Sequence, residues 1–383
     1  MYISVKHKRI CYISGSRADF GLFKSTLALI HNSEYLDLGI IVTGMHLSLD
    51  YGETCSEIEE AGFNIIRKIY CDINSMTGAQ MSHNIGVMIC AMTEELVDFS
   101  PDLVVLLGDR GEMLAGAIAA IHLKIPIIHV HGGERSGTID EPVRHAISKL
   151  SHYHLTSCES ARERLIKMGE NAANIFVVGA PGLDGIRQKA SFYSREMLCR
   201  EIRFDNSQPI ALLVFHPVLN QAANAHHQVK LVMDAILAER LQVVALMPNS
   251  DAGGDAIRQY LRMLQDDPRV VVYSHLNRSK FLSWMKEADV MVGNSSSAII
   301  ESATFGIPAI NIGSRQQLRD RNLNVIDCRL DCTAIKNYLK LMLERGRYNV
   351  FNIYGDGQAG QRILDFILNL NIDEAVLDKV NEY

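Results

Sequence analysis

The stretch LVVLLGDRGE, Leu103–Glu112, opens with five consecutive Leu and Val residues and closes on a Gly-Asp-Arg turn. A short apolar run without a polar face reads as a strand covered by helices on both sides, which is the condition of a parallel sheet. Asp109 and Arg110 therefore stand at the mouth of a buried strand. Partial desolvation there is expected to raise the carboxyl pKa toward a range useful for proton transfer, and the plainer alternative is a structural Asp109–Arg110 neighbourhood.

The same rhythm continues outward in both directions. Strands are expected at Ile10–Ser14, Gly39–Thr43, Ile65–Ile69, Ile127–Val130, His154–Thr156 and Ile175–Val178, with helical stretches such as Leu22–Ile30 and Ile85–Phe99 between them. A second series follows at Ile210–Phe215, Val243–Met247, Val270–Tyr273, Val290–Gly293, Ala309–Ile312 and Asn324–Ile326. The pattern predicts an α/β chain with two Rossmann-like, doubly wound domains facing a central cleft. The turn residues GAPGLDGI, within the irregular stretch Gly179–Gln208, put the boundary between a first domain at 1–182 and a second at 183–360. Gln361–Leu370 reads as a helix, and 361–383 is expected to cross back onto the first domain.

Composition narrows the function. With 383 residues, 48% of them hydrophobic, the chain can fill two cores. It has no apolar run of about 20 residues, and MYISVKHKRICYIS lacks a cleavable signal, so a soluble cytoplasmic protein without a membrane partner is expected. The eight cysteines are scattered without C-x-x-C spacing and read as reduced thiols. A net charge of -6 with no cluster of Lys and Arg excludes a nucleic-acid partner. Bound phosphates must be few and local.

The chemistry-bearing residues follow strands. Gly15-Ser16-Arg17-Ala18-Asp19-Phe20-Gly21 is a glycine turn entering a helix, where Arg17 can fork onto a phosphate oxygen; alternatively it is an ordinary turn with Asp19 as the cap. It is neither a P-loop nor a dinucleotide fingerprint. PIIHVHGGERSGTIDEPVRH, Pro126–His145, is densest in ionisable groups and offers His131, Glu134 and Asp140, although Thr138 or Asp140 can simply cap the next helix. His129 and His131 form an H-x-H whose imidazoles share one strand face, but no completing ligand set follows, so no metal is expected. His152 and His154 read as surface or packing residues. In the second half His216 ends a strand as a candidate phosphate donor or acid, or as a structural residue, and PNSDAGGD, which closes on Asp255, can hold a base or ribose through Asn249 or be a plain polar turn. Gly293–Glu301, GNSSSAIIE, offers Ser295 and Ser296 to a diphosphate and Glu301 to a ribose diol, against the alternative of a helix cap with spare serines. Arg315 follows the next strand and can close over phosphates.

Assembled, these residues resemble the UDP-N-acetylglucosamine 2-epimerase family, in particular its hydrolysing branch of sialic and legionaminic acid pathways. The resemblance rests on GSRADFG, VTGMHLS at Val42–Ser48, GDR, HGGERSGTIDEPVRHAISKLSH at His131–His152, FHPV at Phe215–Val218, PNSDAG, GNSSS and GSRQ at Gly313–Gln316, in that order. It implies a fold like that of the GT-B glycosyltransferases, with UDP on the second domain and the sugar facing carboxylates of the first. The implied UDP contacts are Arg17, Arg110, His216, Asn249, Ser295, Ser296, Glu301 and Arg315, with Asp19, Asp255 and His275 added; the implied catalytic set is Asp109, Glu134 and Asp140, with His216. Non-hydrolysing relatives carry Glu where this chain has His131, which favours the hydrolysing branch.

The implied reaction is anti elimination of UDP to a 2-acetamidoglucal, then hydration to the free 2-epimer, without a cofactor. UDP-N-acetylglucosamine is the expected substrate, with a UDP-diacetamido-trideoxyhexose as the alternative, and a homodimer or homotetramer is expected. A glycosyltransferase needing an acceptor, a metallophosphoesterase and a catalytically silent nucleotide-sugar sensor are the competing readings.

Overall fold

The computed structural model describes residues 7–74, 77–189, 193–372 and 374–382. Residues 190–192 of the expected boundary, and 373 and 383 of the returning segment, lie outside the described residues. The first sheet comprises β1 (Lys8–Ser14), β2 (Leu36–Thr43), β3 (Ile65–Ile69), β4 (Leu103–Leu107), β5 (Ile127–Val130), β6 (Tyr153–Thr156) and β7 (Ile175–Val177). The second comprises β8 (Ile210–Val214), β9 (Gln242–Leu246), β10 (Val270–Tyr273), β11 (Val290–Gly293), β12 (Ala309–Ile312) and β13 (Val325–Cys328). Their orders, β3-β2-β1-β4-β5-β6-β7 and β10-β9-β8-β11-β12-β13, each reverse direction once, between β1 and β4 and between β8 and β11. All neighbouring strands are parallel. This is the doubly wound arrangement twice over, and the two reversals are where a crevice opens at the strand ends.

Burial on both faces explains the unbroken apolar runs. In β1, Ile10 and Tyr12 join the core of Phe20, Phe23 and Leu27 from helix Arg17–His31, while Cys11 and Ile13 join Met88, Met92 and Leu96 from helix Gly78–Phe99. The second sheet divides in the same way: Ala211 and Leu213 pack on Val229 and Val232, and Leu212 and Val214 on Trp284 and Met285. Each Ile, Leu, Val, Phe or Met among these stabilises the fold by roughly 1.5–3 kcal/mol through removal of apolar area from water. Gly293 has φ +137°, and a Cβ there would lie 2.0 Å from the Val214 carbonyl oxygen, so only glycine lets β11 close on β8 at the reversal.

The last long helix, Ala359–Asn369, contributes Ile363 and Ile367 to the core that holds Ile10 and Tyr12. Asp184 receives the Ala359 amide at its start (3.0 Å), and Lys8 Nζ donates to the carbonyls of Ile367 (2.9 Å) and Leu368 (3.0 Å) at its end. Both helix ends thus find partners for groups the helix itself leaves open. Among the described residues no helix is long and apolar enough to cross a membrane.

Candidate functional site

The carboxyl ends of the two sheets face each other across a cleft. A cavity of about 190 Å³ is lined by Arg17, Asp109, Arg110, Asp140, His216, Asn249, Arg258, Ser295, Ser296 and Arg315, among others. It adjoins a recess of about 140 Å³ formed by Val214, Leu246, Met247, Leu276 and Phe281, with Arg278 and Glu301 at its edge. Arg17, His216, Ser295 and Ser296 line both. On the opposite side, a recess of about 60 Å³ bounded by Ile73, Met81, Asn84, Ile85 and Met88 shares Arg110 and Asp140 with the main cavity. A larger cavity of about 700 Å³ lies beyond the ends of β6 and β7, around Ser157, Gly179–Arg187 and Val350–Gln358.

The first-domain wall carries ionisable groups held by guanidiniums. Gly108, at φ +89°, turns the chain out of β4 so that Asp109 meets Arg144, whose Nη2 donates to its carboxylate. Burial pushes the Asp109 carboxyl up, but Arg144, Arg319, Arg315 and Arg110 outweigh it and leave the pKa below the ordinary range. The rise expected from desolvation alone is therefore corrected: four cations dominate. Asp140 opens helix Asp140–Leu150, accepts from Thr138 Oγ1 (3.0 Å) and stands 3.8 Å from Arg315 Nη2. Burial and the neighbouring Asp109 charge raise its pKa, and Arg315 only partly offsets them. Arg110 reaches Glu112 on its own side and Asp251 across the cleft, each at 3.3 Å.

The second-domain wall supplies neutral donors beside the guanidiniums of Arg258 and Arg315. Burial, then Arg315, pushes His216 down to about 3, so its imidazole is neutral at pH 7. Nδ1 accepts the Asn249 amide (3.2 Å), which leaves Nε2–H to donate into the cleft. A neutral imidazole departs from the expectation of an acid at His216 and agrees with that of a donor. Asn294 fixes it by accepting the His216 amide (2.7 Å) and donating to the His216 carbonyl (2.9 Å). Ser295 and Ser297 hydroxyls are 2.8 Å apart just past β11, and Arg315 Nη1 donates to the Asn294 carbonyl (3.2 Å). Glu301 lines the apolar recess but already receives Arg278.

Several expected residues have other duties. Asp19 is buried in the capping box of helix Arg17–His31 and accepts from the amides of Gly15 (3.1 Å) and Ser16 (2.7 Å), so its carboxylate holds the turn. Asp255 pairs with Arg258, and it is Arg258 that lines the cavity. His275 accepts from Arg17 and meets Glu57 at 2.8 Å, joining the domains. Glu134 is 2% exposed, with both oxygens taken by Arg319, His131 and Ser157, so it does not offer a carboxylate to the cleft. The H-x-H pair is also corrected. His129 stays in β5 and meets Ser148 (3.0 Å) and the Gly108 carbonyl (2.7 Å), whereas His131 has left the strand at φ +66°. His154 is buried against Glu170 (2.8 Å), a packing role. Among the described residues no group of three His, Cys, Asp or Glu side chains could hold a metal ion.

The sequence singled out neither Arg278, Arg258, Asp251 nor Arg319, and it offered Arg144 only as one ionisable group of the run Pro126–His145. Arg278 and Asp251 do follow strand ends, after β10 and β9, and that position was the usable signal.

Residues 28–368 match the family model described as UDP-N-acetylglucosamine 2-epimerase. The chain is 45% identical over 376 residues to a Legionella pneumophila protein named UDP-N,N'-diacetylbacillosamine 2-epimerase (hydrolyzing), covering 98% of this chain and 100% of the relative. It is 33% identical over 352 residues to a Neisseria meningitidis UDP-N-acetylglucosamine 2-epimerase, covering 92% of each. A solved structure of UDP-GlcNAc 2-epimerase from Neisseria meningitidis bound to UDP-GlcNAc shares the fold, with TM-score 0.78 and 16% identity over 94% of this chain and 100% of that one.

Proposed function

The chain belongs to the UDP-N-acetylglucosamine 2-epimerase family, and from that premise we propose that it is a hydrolysing 2-epimerase whose substrate is a UDP-2,4-diacetamido-2,4,6-trideoxyhexose. The observation that carries the sugar assignment is the small recess beside Asp140, walled by Ile73, Met81, Ile85 and Met88. Its apolar side suits a C6 methyl, and the polar groups of Asn84, Glu112, Ser250 and Asp251 complete its lining. The Legionella pneumophila relative supports the same choice. UDP-N-acetylglucosamine is the second reading, favoured by the Neisseria meningitidis relative.

In this reading uracil lies among Leu246, Met247, Leu276 and Phe281, with Glu301 toward the ribose diol. The diphosphate takes hydrogen bonds from Arg17, His216 Nε2, Ser295, Ser296 and Arg315. These donors stabilise the charge that grows as the C1–O bond breaks.

Two carboxyl groups displaced in opposite directions divide the acid and base work. Asp109, kept ionised by its guanidiniums, takes the C2 proton as UDP leaves, which forms the glucal. Asp140, whose hold on a proton is strengthened by burial and by Asp109, returns a proton to C2 from the other face. Water then adds at C1, its proton passing to the Asp140 carboxylate, while the Asp109 proton goes to solvent.

The test offers each UDP-sugar alone to the purified chain and follows UDP and the free sugar. Steady turnover of the diacetamido donor, well above that of UDP-N-acetylglucosamine, is expected. Release of UDP only when an acceptor is added would refute the hydrolysing reading, and preference for UDP-N-acetylglucosamine would refute the sugar.

A further inference from the structure

Glu134 lies six residues before Asp140, yet its carboxylate is enclosed. Oε1 is 2.5 Å from both His131 Nδ1 and Ser157 Oγ, and Oε2 receives Nη1 of Arg319. Arg319 comes from the second domain, in the loop after β12, and is itself only 9% exposed. The same loop carries Arg315 to the cleft four residues earlier.

The two backbones also dock here. Leu318 N donates to the Ser136 carbonyl (3.1 Å). Gly137 has φ +119°, and a Cβ there would lie 2.6 Å from the Ser314 carbonyl oxygen. On the first-domain side, Arg144 Nη1 donates to the Glu134 carbonyl (3.0 Å), while its Nη2 holds Asp109. Glu134 is therefore tied to Asp109 through Arg144 and to Asp140 through the short segment that follows it.

We propose that Glu134 and Arg319 form an interdomain latch, in which Glu134 is a positioning residue that carries no proton and Arg319 is its partner from the UDP-binding side. The proposal rests on the reading of Asp109 and Asp140 as the acid–base pair. The Arg319–Glu134 pair is already closed, so a diphosphate held by Arg315 anchors the same loop and keeps segment 134–140 set against the sugar. Binding on one domain thereby orders the reacting groups of the other. The left-handed backbone of His131, uncommon for a residue with a Cβ, is held in place by the same carboxylate.

Glu134→Gln and Arg319→Gln are each expected to lower kcat by about 10²-fold, the scale on which a misplacement of ~1 Å acts, with UDP affinity less changed. The double variant removes both charges and leaves two amides that can pair, so it should recover about tenfold over the worse single variant, with the pH limbs of kcat/KM where the wild type has them. A double variant no more active than Glu134→Gln, or one lacking a pH limb, would show Glu134 to be a proton carrier and overturn the latch. Hydrogen exchange of 134–141 with UDP bound needs no turnover and so separates this proposal from the assignment of the reaction. Arg319→Gln should speed exchange there, and unchanged exchange overturns the latch even if the wild type proves inactive on both sugars. Where Arg319→Gln fails to fold, Arg319→Lys, which keeps the charge without the fork, should show the same loss more mildly, and wild-type kcat and exchange in that variant count against the latch.

Discussion

At the ends of β4 and β5 the chain places Asp109 and Asp140 among guanidiniums; at the ends of β8, β9 and β11 it places His216, Asn249, Ser295 and Ser296, all uncharged in the cleft. Both walls come from the same doubly wound plan, reversing at one strand pair each. The difference lies in what burial does to them. On the first wall it acts on carboxylates and is decided by charge, so one acid is pushed up and its neighbour down. On the second it acts on a histidine and leaves a neutral donor. In the proposed reading one wall moves protons and the other holds an anion without exchanging any.

That contrast can be broken most severely on the first wall. Asp109→Asn should lower kcat by about 10²–10⁴-fold, the usual contribution of a positioned base, with UDP affinity retained by titration calorimetry. A variant that loses UDP binding in proportion would blur the two walls. On the second wall, Ser295→Ala and Ser296→Ala should each weaken UDP by roughly tenfold or more, because a hydrogen bond to a charged group contributes about 1.5–3 kcal/mol. Retention of affinity with loss of kcat in those serine variants would reverse the assignment.

The pH profile of kcat/KM sharpens the comparison further. Activity falls on the alkaline side as Asp140 loses its proton and on the acid side as Asp109 gains one. Arg315 lowers both groups, so Arg315→Met should move both limbs upward, and limbs that stay put would contradict the placement of Arg315. His216, pushed down to about 3 from the ordinary 6.5, should supply no limb near neutrality, and His216→Gln should leave the profile's shape unchanged. The smallest effect is expected at the turn that supports Arg17. Asp19→Asn should cost about 1 kcal/mol of stability, read by thermal melting, with UDP affinity intact.

The fold was legible because both sheets are buried on two faces, so strands such as Leu103–Leu107 and Ile210–Val214 carry unbroken apolar runs. The cleft was legible for the same reason, since Arg17, Asp109, His216, Ser295 and Arg315 follow those runs directly. What stayed hidden is pairing at a distance in sequence. Nothing local announces that Arg319 meets Glu134, 185 positions away, or that Arg144 rather than Arg110 holds Asp109. Asp19 and Asp255 misled because a carboxylate one turn into a helix looks alike whether it caps, pairs or binds.

Proton NMR of Asp140→Asn, given the diacetamido UDP-sugar in deuterated water, addresses the division of labour most directly. Elimination should proceed on Asp109 while reprotonation stalls, so UDP and the unsaturated sugar should accumulate together with little free 2-epimer. Release of the 2-epimer at the wild-type rate with deuterium at C2, or accumulation of the glucal in Asp109→Asn instead, would contradict the account.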